Sequence, residues 1–378
     1  MKSMIKNWIL LMWGTLFSFA WAKQGVVYVG SYTAENSAGI NVYSLDLKTG
    51  RMNILQTVDG LKNPSFLTVD ARQRRLYAVF ETNDYLGANQ GAVGAFAIDQ
   101  RKWTLSLLNQ QPSQGAHPCH LAVDPQGELV AVANYSGGNI ILAPISHDGS
   151  LLPATFLAQH SGSGPNQSRQ QEAHAHSVTF SPEGSFLLAA DLGIDKIMSY
   201  LVDRENKQLV PSDPPFTATA PGAGPRHLTF SADGKYVYVI NELNSTISAY
   251  HYHAQSGALS EFQTVSSLPL EFKGSNTCAD IHITPNGQFL YGSNRGHDSL
   301  AIFKINRQSG ELTPLGHSSC GGKTPRNFAV DPSGKFLLAA NQNSNNVVVF
   351  RINRRDGSLN AVHEINVSMP VCVKIINP

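Results

Sequence analysis

The sequence predicts an all-β, seven-bladed propeller, and three observations carry that prediction. A unit of about fifty residues recurs along the chain, the signature of a repeat architecture. Each copy is a series of short β-branched and aromatic runs separated by turn residues, and no sustained 3.6-residue period stands out. The two ends of the chain supply complementary parts of one further copy.

The repeat is anchored on a turn of the form Asp/Ser/Thr-Pro-x-Gly. It stands at Asp124-Pro125-Gln126-Gly127, Ser181-Pro182-Glu183-Gly184, Thr284-Pro285-Asn286-Gly287 and Asp331-Pro332-Ser333-Gly334. Ser231-Ala232-Asp233-Gly234 lacks the proline, and Asp70-Ala71-Arg72-Gln73 is a degenerate copy. Proline presets φ and glycine accepts a positive φ, so the motif reads as a hairpin connection. A short strand precedes each anchor, as at residues 120–123 and 227–230, and a second follows, as at 129–134 and 236–240. A third strand, a polar turn and a fourth strand complete a four-stranded antiparallel meander, the form of one blade. Six anchors give six blades. Residues 369–375 repeat the first-strand pattern of residues 324–330, while residues 26–30 and 39–45 supply the second and third strands of that seventh copy. Joining the two ends in one blade closes the ring and leaves no free sheet edge there.

Composition sets the class and the compartment. Hydrophobic residues at 42% and charged residues at 15% fit a globular chain. Residues 1–22 read as a secretory signal peptide: Lys2 and Lys6 form a positive start, residues 9–20 are apolar but too short to span a bilayer, and Ala20-Trp21-Ala22 has the form of a cleavage site. The expected organisation is a leader over 1–22, cut after Ala22, and a single propeller domain over 23–378. The mature protein is expected in the periplasm or secreted, with no membrane segment. The net charge of +1 falls to −1 when Lys2 and Lys6 leave with the leader, which argues against nucleic-acid binding. Cys119, Cys278, Cys320 and Cys372 match no zinc spacing and read as small buried apolar residues.

Inner strands of a propeller surround a central channel, so two columns of the repeat face one mouth of it. One column, after the Pro-like position, reads Ser65, Cys119, His176, Arg226, Ala279, Arg326, Val371. The other, after the second strand, includes Asn134-Tyr135, Asp191-Leu192, Asn241-Glu242, Asn294-Arg295 and Asn341-Gln342. The recurring asparagines read as structural turn caps. His176, Arg226, Glu242 and Arg295 come from three consecutive blades and carry chemistry: two arginines can hold a carboxylate or a developing oxyanion, and a carboxylate or imidazole beside them can move a proton. The same spacing also fits an inter-blade ion-pair network for Arg226, Glu242 and Arg295. His227 and His282 read as packed strand residues, and Arg326 as a pair for a neighbouring blade. The histidines of Glu172-Ala173-His174-Ala175-His176 lack a matching acidic cluster for a metal, residues 162–165 lack the helix a phosphate loop needs, and there is no Gly-x-Ser-x-Gly elbow.

With these columns in view the chain resembles the propeller lactonase family, which includes bacterial 6-phosphogluconolactonases and fungal carboxymuconate lactonizing enzymes. The carrying segments are Tyr28-Val29-Gly30-Ser31-Tyr32-Thr33, Gly115-Ala116-His117-Pro118-Cys119-His120, His174-Ala175-His176-Ser177, Gly224-Pro225-Arg226-His227, Asn241-Glu242-Leu243-Asn244-Ser245 and Ala279-Asp280-Ile281-His282. The resemblance implies hydrolysis of a small-molecule lactone without metal or other cofactor. It places the family's active-site His, Arg, Glu and Arg on His176, Arg226, Glu242 and Arg295, with His174 an alternative to His176. Glu242 or His176 would transfer the proton, and the arginines would bind the substrate's carboxylate or phosphate and steady the tetrahedral intermediate. The implied substrate is 6-phosphogluconolactone or a similar sugar lactone; a leader departs from a role in cytosolic sugar-phosphate metabolism and leaves an unphosphorylated sugar lactone or another lactone acid as alternatives. Two other classes compete: a non-catalytic exported propeller that binds a protein or glycan, and a calcium-dependent lactonase.

Overall fold

The computed structural model describes residues 24–33, 38–70, 72 and 74–377. The leader with its cleavage site, and Ala71 and Gln73 of the degenerate turn, lie outside the described residues. Among the described residues there are seven antiparallel sheets of four strands each. Blade 1 runs, from the axis outward, Pro370–Ile376, Gln24–Ser31, Ile40–Asp46 and Met52–Val58. Blades 2 to 7 each use four consecutive strands, the first innermost: Phe66–Asp70, Pro118–Val123, Ala175–Phe180, Pro225–Phe230, Thr277–Ile283 and Pro325–Val330. Neighbouring innermost strands touch all the way round, and Pro370–Ile376 meets both Pro325–Val330 and Phe66–Asp70. The split blade forms as expected, and its register sets Val26 opposite Ile376 and Gly30 opposite Cys372.

The anchor turns form because their first residue supplies an acceptor. Asp124 Oδ1 accepts the backbone N–H groups of Glu128 and Leu129, and Asp331 Oδ1 those of Lys335 and Phe336. Ser181, Ser231 and Thr284 use their hydroxyl for the N–H that opens the next strand. Each turn is then closed by a glycine in the left-handed region, at φ between 65° and 75°.

Blades adhere through the apolar faces of their sheets and through one recurring polar contact. The strand second from the axis carries a tyrosine at one equivalent position in four blades, and each hydroxyl donates across to the next blade's outer turn: Tyr28 to Trp103 O, Tyr77 to Gly149 O, Tyr238 to Gly310 O, Tyr291 to Gly357 O. These phenols are fully buried, so the hydrogen bond offsets a desolvation cost of about 1–3 kcal/mol per unsatisfied group. The four cysteines are free and buried.

The innermost strand of blade 1 is the closing element. Truncation before Pro370 takes away buried Val371 and Val373, at about 1.5–3 kcal/mol each, from a net stability of roughly 5–15 kcal/mol. It also unpairs both Gln24–Ser31 and the channel wall. The truncated protein is expected to show no cooperative thermal transition by circular dichroism. A circular permutant that links residue 377 to residue 24 and opens between two blades is expected to melt cooperatively like the parent.

Candidate active site at the channel mouth

The column that follows the Pro-like position is a column of β-bulges. In blade 5, Pro225 faces Asn241 and His227 faces Ile240, so Arg226 is an extra residue. The same insertion occurs at Val371, Cys119, His176 and Arg326, and once across Ala279 and Asp280. A bulge bends the strand and re-aims its side chain. Here it turns a residue that alternation would bury between blades toward the channel mouth. The register places Tyr32, Glu81, Tyr135, Leu192, Glu242, Arg295 and Gln342 in one rim column at the ends of the second strands. Bulge and rim columns together build the site.

Three of the four sequence-derived residues meet at Glu242. Arg226 Nε donates to Glu242 Oε2 at 2.9 Å, Arg295 Nη2 lies 2.9 Å from the same oxygen, and Arg169 Nη2 donates to Oε1 at 2.6 Å. Glu242 is set in place by its own N–H, which donates to Gly224 O. Gly224 has φ +62°, and a Cβ there would stand 2.6 Å from Leu243 Cγ, so this turn requires glycine. Arg226 is oriented from behind. Its Nη1 donates to Ala279 O at 2.6 Å and faces His227 Nε2 at 3.2 Å, while His227 Nδ1 lies 2.8 Å from Asp280 Oδ1. His282 Nε2 is 2.9 Å from the other oxygen of Asp280. His227 and His282 are thus hydrogen-bonded strand residues, as expected. The asparagine caps also hold: Asn134, Asn294 and Asn341 donate to the carbonyls of Ser113, Ser267 and Cys320.

Electrostatics follow from this packing. Burial alone would raise the Glu242 carboxyl, but Arg295, Arg226 and Arg169 outweigh it and hold the group at about 2. Burial, then Arg295 and Arg326, push Arg226 down to about 10, still fully charged at neutral pH. His227 is lowered to about 4 by burial and by Arg226. It is therefore neutral, with Nδ1–H donating to Asp280 and Nε2 accepting from Arg226. Burial and the nearby Arg226 hold His176 well below the usual imidazole range.

His176 stands apart from the Glu242 cluster. Its Nδ1 is 3.9 Å from Cys119 Sγ, and its ring lies edge-on to Tyr135 and His227 at 5.5 and 5.4 Å. His174 sits at the rim, stacked on Tyr135 at 4.4 Å with Nδ1 3.0 Å from Tyr135 O. Across the mouth, Arg326 Nη2 donates to Tyr32 Oη at 2.9 Å, and Tyr32 Oη donates to Glu81 Oε2 at 2.9 Å. Arg326 therefore does pair with a neighbouring blade, at the mouth. Arg226 and Arg326 line a small crevice, with room for about one water, together with Ser65, Glu81 and Cys119. Among the described residues, four guanidiniums (Arg169, Arg226, Arg295, Arg326) face two carboxylates, Glu242 and Glu81. The excess positive charge suits an anion.

A family model described as Lactonase, 7-bladed beta-propeller matches residues 26–375. The chain belongs to the seven-bladed β-propeller lactonase family. It is 37% identical over 301 residues to a 6-phosphogluconolactonase of Bacillus subtilis, covering 80% of this chain and 83% of that one. It is 38% identical over 310 residues to a 6-phosphogluconolactonase of Formosa agariphila, covering 80% and 85%. Among solved structures, the periplasmic gluconolactonase of Pseudomonas aeruginosa superposes with a TM-score of 0.88 at 33% identity, covering 94% of this chain and all of that one. This family member is accordingly an enzyme of lactonase type.

Sequence columns found Arg226, Glu242 and Arg295 but missed three residues of this lactonase-family mouth. Arg169 lies in the 161–174 connection, which has no repeat register. Tyr32 and Glu81 are the rim residues of blades 1 and 2, where Ser31 and Phe80 replace the asparagine or aspartate that marks the column elsewhere. Extending the column through the split blade would have found both.

The depressed carboxyl of Glu242 makes stability pH-dependent. Its folded value near 2 lies below its ordinary 4.5, so its contribution is fully present above pH 4.5 and is lost as pH falls toward 2. Glu242→Gln is expected to flatten the fall in melting temperature across that window relative to the parent. At pH 7 the variant should be less stable by about 3–5 kcal/mol, because Arg226 is left buried without its partner. Thermal denaturation of both proteins from pH 2 to 7 measures this.

Proposed function

We propose that this protein is an exported hydrolase of sugar lactones, acting on gluconolactone or its 6-phosphate at the channel mouth. The observation that carries this reading is the surplus of guanidinium charge around one small cavity. Lactone hydrolysis turns a neutral ester into a tetrahedral oxyanion and then a carboxylate, so positive charge fixed beforehand favours the transition state over the substrate. Arg226 and Arg326 line the cavity where that charge would form. Arg295, whose Nε has no hydrogen-bond partner, and Arg169, about one-third exposed, are placed to bind the substrate's anionic or hydroxyl groups.

This reading gives Glu242 a different role from the proton transfer that the resemblance implies. A carboxylate bound by three guanidiniums and held near 2 is a weak base. Its contribution is to keep the three like charges of Arg226, Arg295 and Arg169 together and oriented. His176 contributes a neutral imidazole wall. The chemistry also supports metal independence, because the oxygens of Glu242 already serve arginine.

The relatives named as 6-phosphogluconolactonases and the periplasmic gluconolactonase support the substrate class. The leader over residues 1–22 supports export and, with it, the unphosphorylated lactone.

The mature protein, assayed on gluconolactone, its 6-phosphate and an unsubstituted six-membered lactone, is expected to hydrolyse the sugar lactones above the spontaneous rate. Turnover should be unchanged by chelators. Arg226→Ala should lower kcat/KM by about 10²–10³-fold. Arg169→Ala should raise KM more for the phosphorylated than for the plain lactone. If no lactone reacts, the reading fails and a binding role takes its place. Mass spectrometry of protein from intact cells should find the mature chain starting at Lys23.

A further inference from the structure

Attack of water on a lactone needs a proton acceptor, and neither Glu242 nor His176 is placed to be one. Glu242 has both oxygens on arginine. His176 is buried beside Arg226, so a proton on its ring would set another cation against that guanidinium. The repeat supplies another carboxylate. Glu81 in blade 2 occupies the rim position that Glu242 holds in blade 5, and Arg326 in blade 7 the bulge position that Arg226 holds. The same residue types thus appear twice around the mouth, but they are ion-paired only once.

Arg326 is taken up by a phenol instead. Its Nη2 donates to Tyr32 Oη, and its guanidinium carbon sits 5.4 Å from the centre of the Tyr32 ring. Among the described residues no guanidinium or ammonium lies within 4 Å of Glu81. Its Oε2 accepts from Tyr32 Oη at 2.9 Å, and its Oε1 accepts no hydrogen bond from the described residues. The backbone is pinned on both sides. Glu81 N–H donates to Asn63 O at 2.9 Å, and Asn63 Nδ2 donates to Glu81 O at 3.3 Å. Asn63 Oδ1 also accepts from Thr33 N–H, next to Tyr32. The cavity between Glu81, Arg226 and Arg326 carries a second sign of a ligand: Ser65 Oγ, 4% exposed as a residue, lines it without a hydrogen-bond partner.

We propose that Glu81 is the general base of this enzyme, positioned by Tyr32, with Ser65 Oγ and Arg226 and Arg326 receiving the water and the carbonyl oxygen in the cavity. The inference rests on the lactone-hydrolase reading. As the water oxygen bonds to the lactone carbonyl carbon, Glu81 Oε1 takes one of its protons. The carbonyl π pair moves to oxygen as an oxyanion facing the two arginines. When that pair returns, the bond between carbonyl carbon and ring oxygen breaks, and the ring oxygen takes the proton from Glu81. The open hydroxy acid loses its carboxyl proton to solvent, so the sum is lactone plus water giving hydroxycarboxylate plus a proton. Tyr32 is a positioning residue, since it acts through Glu81.

The test uses the mature protein, gluconolactone as substrate, and gluconate as the probe in calorimetric binding. Glu81→Gln is expected to lower kcat by about 10²–10⁴-fold, with KM, gluconate affinity and melting temperature close to the parent's. Glu81→Asp should recover part of kcat, and Tyr32→Phe should lower kcat without raising KM. Turnover by Glu81→Gln within about three-fold of the parent, well short of a general base's share, overturns the assignment of Glu81 and leaves the lactone reading standing. Loss of gluconate binding together with turnover also overturns it, because Glu81 would then be holding the site together. Absence of lactone turnover in the parent overturns the lactone reading itself.

Discussion

A strand in regular register sends alternate side chains to opposite faces, so only every second residue of an innermost strand can reach the propeller's axis. The inserted residue in the innermost strands of six of the seven blades breaks that alternation at one level, the channel mouth. Arg226, Arg326, His176 and Cys119 all occupy such insertions. Without the extra residue these side chains would point into the apolar packing between sheets, where a guanidinium has no counterpart. The candidate site therefore depends on a backbone irregularity that the fold repeats, and its chemistry varies only in which residue each blade puts there.

Concentrating arginines in a buried mouth is costly, and the Glu242 cluster is how the cost is met. Desolvating a carboxylate or a guanidinium costs several kcal/mol, which is recovered only where geometry and hydrogen bonding are complete. Glu242 has a guanidinium on each oxygen, and Arg226 is further tied to Ala279 O and, through neutral His227, to Asp280. That chain crosses from blade 5 to blade 6. The ion-pair network and the candidate site, which the spacing alone fits equally, are the same set of side chains.

Much of the architecture was legible in the residues. The Asp, Ser or Thr that opens each anchor is required chemically, because its side-chain oxygen caps the N–H of the strand that follows, so the repeat is visible even where the proline is missing at Ala232. The two half-blades were legible because residues 369–375 copy a first strand closely. Glu242 and Arg295 stood out as the charged members of a column that otherwise holds Tyr135, Leu192 and Gln342, and Arg226 as one of two arginines in the column after the Pro-like position. Arg169 did not, since its connection has no counterpart in other blades, and Glu81 was hidden by Phe80 in the marker position. The division of labour between two glutamates in one column was also invisible. It depends on whether an arginine or a tyrosine comes round from the neighbouring blade, and no spacing encodes that.

The split blade has a consequence for the order in which the molecule can form. The contact between Leu67 N–H and Cys372 Sγ joins positions 305 residues apart, and the wall of the channel is incomplete until the last seven-residue strand arrives. The N-terminal strands of blade 1 must remain unpaired on one edge while every other blade is synthesised. Long-range closure of this kind is slow, because the loop entropy is lost before any contact rewards it. That delay keeps the ring of blades open until the C-terminal strand is available.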